Sequence, residues 1–293
     1  MKTNNSNKKD ISFYKIQCSR HIDLIFRDLI KRGLIDPNSS FFKESKRRVL
    51  GSILFLLYPV AEYLDNLLEG NSEYFLQSAQ LWAYTYFLDQ SLDSLENNPS
   101  TKVRAMQICS YLLCNYFTWI TELYSKMLPL FHSFYKRQTD YLILEKKWNS
   151  PGLYITNYGS QENIYKKAIL LIFPLELLNK IELIKQKHCV TTLKKIFINY
   201  YSFVLLSDDI LDFQDDVRNK TLTFPISLFY KSEGKLPSSN EKILLVSQWF
   251  KSLNDFQSNI KKCEQLLGKH SFIIEKKLLS LKQHLKKERG IDL

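Results

Sequence analysis

"LLSDDILDFQDD" runs from Leu205 to Asp216 and sets five aspartates, Asp208, Asp209, Asp212, Asp215 and Asp216, within nine residues at the end of the apolar run "YYSFVLL". Wound as one helix over 198–216 at about 100° per residue, the five carboxylates share a single arc of about 120°. Phe203, Leu206, Ile210 and Phe213 fall on the opposite side, and Tyr201 and Leu205 lie one or two turns beneath the acids. Like charges at this spacing repel one another, more strongly where water is scarce. No Lys or Arg interrupts residues 196–217, and the flanks are too apolar for a solvated acidic face. A cation is therefore expected. Hard divalent ions prefer carboxylate oxygen, and Mg²⁺ characteristically completes its shell with waters and substrate phosphates.

A second acidic pair lies in "LWAYTYFLDQSLDSLE", where Asp89 and Asp93 are one helical turn apart, with Trp82 and Tyr86 below them on the same face and Glu96 beyond. Alone, such a pair reads as ordinary surface. Two acidic lips, each over an aromatic floor and on separate helices, read as a site.

The rest of the chain supplies the frame. Only eight Gly and eight Pro occur in 293 residues, and long apolar-periodic segments recur without repeats or low-complexity linkers, which predicts an all-α fold. We expect one helical domain over 11–293 behind a polar, disordered tail over 1–10. The periodicity places helices at 11–34, around Pro59 with a kink or split, at 72–96, from Ser100 to Met127, on to Trp148, at 161–179, and from about 190 through the aspartates, followed by a short helix after Pro225 and two Lys-rich amphipathic helices.

The formal charge of +11 suits nucleic acid, an anionic membrane face or phosphorylated substrates. The lysines are scattered and no basic run interleaves with aromatics, which argues against nucleic acid. Five cysteines form no CxxC pair and their number is odd, so a reducing cytoplasm is the expected home. "MKTNNSNKKD" lacks a signal peptide's apolar core and "VLGSILFLLYPVA" is too short to span a bilayer; peripheral membrane contact stays open. The five histidines show no metal-ligand spacing.

"FVLLSDDILDF" resembles the second aspartate-rich motif, DDxxD, of the class I terpenoid synthase and trans-isoprenyl diphosphate synthase superfamily, with Asp208, Asp209 and Asp212 matching in full. "DQSLD" is similar to the first motif, keeping Asp89 and Asp93 while Gln90 replaces the middle acid. "SKRRVLGSILFL" resembles the diphosphate-binding segment ahead of the first motif, which puts Lys46, Arg47 and Arg48 on the substrate, and "YKKAILLIF" resembles the KTxxL segment, which adds Lys166 beside Lys167. "NKTLTFP" is similar to the GK-x-T-x-P turn and brings in Lys220; Arg218 follows the acidic lip, as a sensor of the leaving diphosphate or simply as a cation at a helix C-terminus. The likeness runs in order from about 40 to 230, the second motif being its specific part.

That resemblance implies a single bundle of long helices around a deep apolar cavity, with the two acidic motifs facing each other across its mouth. Three Mg²⁺ ions would hold the diphosphate of a prenyl diphosphate substrate, and Trp82, Tyr84, Thr85, Tyr86, Tyr201 and Leu205 would line the cavity. Dimers are usual in the family, so a homodimer is expected. Chain-elongating members carry an Arg pair soon after the first motif, whereas only Arg104 is nearby here. This, with Gln90, favours a terpene synthase that ionises one prenyl diphosphate and cyclises or quenches the cation. The Asn-Asp-x-x-Ser triad of many cyclases is absent, and Asp212–Asp216 with Thr223-Phe-Pro also resembles the second motif of squalene and phytoene synthases. Elongation with isopentenyl diphosphate, head-to-head coupling and a non-catalytic helical partner subunit are the alternatives.

Overall fold

The computed structural model describes residues 11–50, 72–93, 99–149, 169–180 and 187–238, together with five short C-terminal stretches at 254–255, 258–259, 279–280, 282–284 and 286–287. The fold is all-α, and no strand occurs among the described residues. No helix among them is long and apolar enough to cross a membrane. The chain divides into two compact units, with described residues up to Leu128 in one and those from Pro129 onward in the other.

The first unit holds α1 (Ile11–Lys31), α2 (helical over 40–50), α3 (Ser72–Asp93) and α4 (Pro99–Tyr124), the last followed by a 3-10 turn, Ser125–Met127. α1 stops where Gly33 takes a φ of 69°. There the Gly33 N–H donates to the Ile30 carbonyl and the Leu34 N–H to the Leu29 carbonyl, each at 2.9 Å, and glycine adopts this left-handed geometry without steric cost. The "DPNSS" break then builds the next start: Ser39 Oγ donates to the Asp36 carbonyl at 2.7 Å and accepts from the Phe42 N–H at 3.1 Å, capping α2.

α3 has little polar face to spare. Leu81, Trp82, Ala83 and Tyr84 are consecutive and all buried, as expected of a helix with neighbours all round. It packs mainly against α4 and also against α1. Phe26 of α1 meets Phe42 of α2 edge-on at 5.6 Å and Phe87 of α3 at 6.3 Å, so three helices share one aromatic centre.

The second unit holds α5 (Leu128–Glu145), α6 (Ile169–Lys180), α7 (Lys187–Leu211), α8 (Phe213–Asn219) and α9 (Phe224–Glu233). Phe173 of α6 takes Phe131 and Phe134 of α5 edge-on at 5.1 and 5.7 Å. The Leu222 N–H donates to the Glu145 carbonyl at 2.8 Å, tying the turn after α8 to the end of α5, and Lys194 of α7 pairs with Glu176 of α6. Pro225 sits in the first turn of α9, where its missing N–H costs nothing.

One sequence expectation is corrected here. Residues 198–216 do not form a single helix: α7 ends at Leu211, and Asp212 bends the chain with φ −91° and ψ 6° before α8 begins. The Asp212 N–H still reaches the Asp208 carbonyl at 2.9 Å and the Asp216 N–H reaches the Asp212 carbonyl at 2.8 Å, so the break is one residue wide. The kink or split near Pro59, the start of the sixth helix, the end of the third beyond Asp93, the polar tail and most of the Lys-rich C-terminal segment lie outside the described residues.

Candidate functional site

In the first unit, two segments chosen from distant parts of the sequence meet around Tyr86. This half-buried side chain of α3 shares a hydrogen bond with Ser45 of α2 and lies in the fields of Arg48, Glu44 and Asp89. Burial is the main cause of a raised Tyr86 pKa, with Ser45 and Arg48 pulling the other way. Arg47 and Arg48 of the basic triplet and Asp89 of the first acidic motif therefore all lie in the surroundings of Tyr86. Asp89 is exposed, Gln90 half-buried, and Asp93 is the last residue of α3, its side chain lying outside the described residues.

Each basic residue of the triplet has a carboxylate partner that the sequence reading did not assign. Lys46 Nζ is 2.6 Å from Asp23 Oδ1 of α1. Arg47 Nη2 grips both oxygens of Glu44, at 2.8 and 3.0 Å, while Arg48 Nε approaches Glu44 Oε1 at 2.5 Å. Hydrogen bonds from Arg47 and then Arg48 hold the Glu44 carboxyl down to about 2. The Glu44 contacts were legible, because a Glu three and four residues ahead of two arginines meets them on a helix; the Asp23 contact depends on packing between helices.

In the second unit the five aspartates separate by environment. Asp208 and Asp212 are exposed, whereas Asp209 is buried at 4% exposure. Asp215 is exposed and Asp216 half-buried. The apolar side opposite them is as expected, since Phe203, Leu206, Ile210 and Phe213 are all buried.

The helix ends give these positions different electrostatic meanings. Asp215 and Asp216 lie in the first turn of α8, where unpaired N–H groups favour carboxylates, and Arg218 in its last turn pairs with Asp215. Asp208 and Asp209 occupy the last turn of α7, which contains no basic residue, where the carbonyl ends disfavour negative charge. On α3, Asp89 lies one turn before Asp93. The second acidic motif thus ends a helix with the wrong sign of charge.

Among the described residues, no group of three or more His, Cys, Asp or Glu is arranged to hold a metal ion. The donor set nonetheless fits Mg²⁺, which is usually bound by one or two carboxylates and takes its remaining oxygens from water and substrate phosphate. Asp208 and Asp212, one turn apart and both exposed, are suited to that use.

Lys220 ends α8 in the left-handed region, with φ 54° and ψ 41°. Its N–H donates to the Val217 carbonyl at 3.3 Å and the Thr221 N–H to the Asp216 carbonyl at 2.9 Å, a glycine-type cap built on a lysine. Of the expected cavity-lining residues, Trp82, Tyr84 and Tyr201 are buried in the core, while Thr85, Tyr86 and Leu205 are half-buried. The Thr85 hydroxyl donates back to the Trp82 carbonyl at 2.8 Å. Lys166, Lys167 and Glu96 lie outside the described residues.

No protein-family model, no curated protein and no solved structure matches the chain.

Proposed function

We propose that the protein is a Mg²⁺-dependent enzyme of the class I terpenoid synthase kind, which ionises a prenyl diphosphate and cyclises or quenches the resulting allylic cation. The observation that carries this reading is the placement of the complete second motif at the end of α7, whose last turn has no basic residue. Carboxylates there are disfavoured by about 0.3–1 kcal/mol each in the folded protein alone, a cost that a bound cation reverses. The meeting of the 46–48 triplet with Asp89 around Tyr86 supports it, because an anion held by one and a cation held by the other would be neighbours.

In this reading Asp89 and Asp93 of the first unit, and Asp208, Asp209 and Asp212 of the second, are Mg²⁺ ligands. The carbon–oxygen bond breaks with its electron pair leaving on the diphosphate, and Mg²⁺ held by these carboxylates would supply charge neutralisation to the diphosphate oxygens. Lys46, Arg47 and Arg48 orient that group, with Lys166, Arg218 and Lys220 as further cations. Their hydrogen bonds strengthen as charge builds on the leaving oxygen, which lowers the barrier rather than merely tightening binding. Tyr86 offers an aromatic face at the edge of the same site, and a desolvated cation over such a ring gains about 2 kcal/mol.

Incubation with Mg²⁺ and farnesyl or geranylgeranyl diphosphate, with and without isopentenyl diphosphate, tests the reading. Inorganic pyrophosphate and a hydrocarbon or terpene alcohol are expected without isopentenyl diphosphate. Its consumption would reassign the enzyme to chain elongation, and no pyrophosphate from either substrate would remove the catalytic reading.

A further inference from the structure

Resting on that diphosphate reading, we propose that Glu44 is a resident counter-anion of the basic segment on α2, and that an incoming diphosphate binds by displacing it. Arg47 offers its planar fork to both Glu44 oxygens, at 2.8 and 3.0 Å through Nη2 and 3.2 Å through Nε, and Arg48 Nε closes on Oε1 at 2.5 Å. A guanidinium fork accepts carboxylate and phosphate oxygens in the same geometry, so Glu44 occupies the donors a diphosphate would use. The two arginines keep its carboxyl down to about 2, so it is ionised throughout the physiological pH range.

The site is arranged so that the carboxylate leaves without the cations moving. Glu44 is half-buried, with 42% of its side chain exposed, and the pairs it makes are surface pairs of small worth. Ser45, the next residue, is buried and joined to Tyr86, which anchors α2 against α3 while the neighbouring side chain turns away. A diphosphate brings more charge and more acceptor oxygens than one carboxylate, so it wins the exchange, whereas a singly charged anion has little advantage. Glu44 thereby sets a threshold that favours multiply charged phosphate esters over monoanions.

Removing the competitor should tighten binding; had Glu44 instead served to pre-order the arginines, removing it would weaken binding. The sign decides. Isothermal titration of the full chain with inorganic pyrophosphate, without divalent cation, is the measurement, with circular dichroism confirming helical content in every variant. Glu44→Gln and Glu44→Ala should each bind about three- to ten-fold tighter than the parent, the effect of deleting one nearby negative charge under solvent screening. Arg48→Gln should bind more weakly. Unchanged or weaker binding in both Glu44 variants, with the parent still binding, overturns displacement and leaves the diphosphate site standing. No binding by the parent or any variant overturns both.

Discussion

Asp208 and Asp215 are seven residues apart, carry the same charge and are both exposed, yet they stand at opposite electrostatic ends of consecutive helices. Replacing each by Asn should therefore move stability in opposite directions. Asp208→Asn is expected to stabilise the metal-free protein by about 0.3–1 kcal/mol, by removing a charge from a helix C-terminus. Asp215→Asn should destabilise it by about the same amount through loss of the α8 N-terminal interaction. Urea unfolding of the two variants checks this, and the same sign for both would refute the assignment of separate roles. Lys220 belongs to the same scale: a non-glycine residue in the left-handed region costs about 1–2 kcal/mol, partly offset by the chain entropy glycine would lose. Lys220→Gly should raise stability by up to about 1 kcal/mol and lower activity, since strain retained at a lysine implies use of its side chain. The residue types at these positions were legible in the sequence, but their opposing roles were not, because those depend on where each helix ends.

At the scale of elements, the aromatic contact between α5 and α6 concentrates energy in few side chains. Phe173 is fully buried and meets two phenylalanines edge-on, so Phe173→Ala should cost about 3–5 kcal/mol, against less than about 0.5 kcal/mol for Val103→Ala on the exposed side of α4. Differential scanning calorimetry would separate the two, and similar melting temperatures would contradict the packing described. On α4 itself, burial pushes the Cys109 thiol up to about 12, and its Sγ lies 3.7 Å from the Tyr84 carbonyl. Cys114 is exposed one turn later. Iodoacetamide at neutral pH should therefore modify Cys114 while sparing Cys109 until the protein is unfolded, as peptide mass mapping would record. Helix existence was readable from periodicity and from scarce Gly and Pro, and the "DPNSS" stop and restart from its capping chemistry. The bend at Asp212 was not: its local sequence is periodic on both sides, and a one-residue break leaves the i to i−4 bonds running across it.

At the scale of the whole molecule, a formal charge of +11 coexists with two acidic motifs, a composition suited to gathering a polyanion and metal together. Neither ligand alone satisfies both kinds of charge, so Mg²⁺ and pyrophosphate should stabilise the fold more together than the sum of their separate effects. At a hundred-fold excess over its dissociation constant a ligand contributes about 2.7 kcal/mol, a shift well within reach of thermal unfolding. The all-α class could be read from composition because it follows from what the chain lacks, whereas a shared site requires distant segments to converge, which no local pattern encodes. Cooperation of the two acidic motifs is the central claim, and Mn²⁺ binding followed by electron paramagnetic resonance, with pyrophosphate present and Mn²⁺ standing in for Mg²⁺, tests it most directly. Asp89→Asn and Asp212→Asn should each, alone, abolish pyrophosphate-dependent Mn²⁺ binding while leaving helical content intact. Binding at the parent's level in either variant would contradict the account.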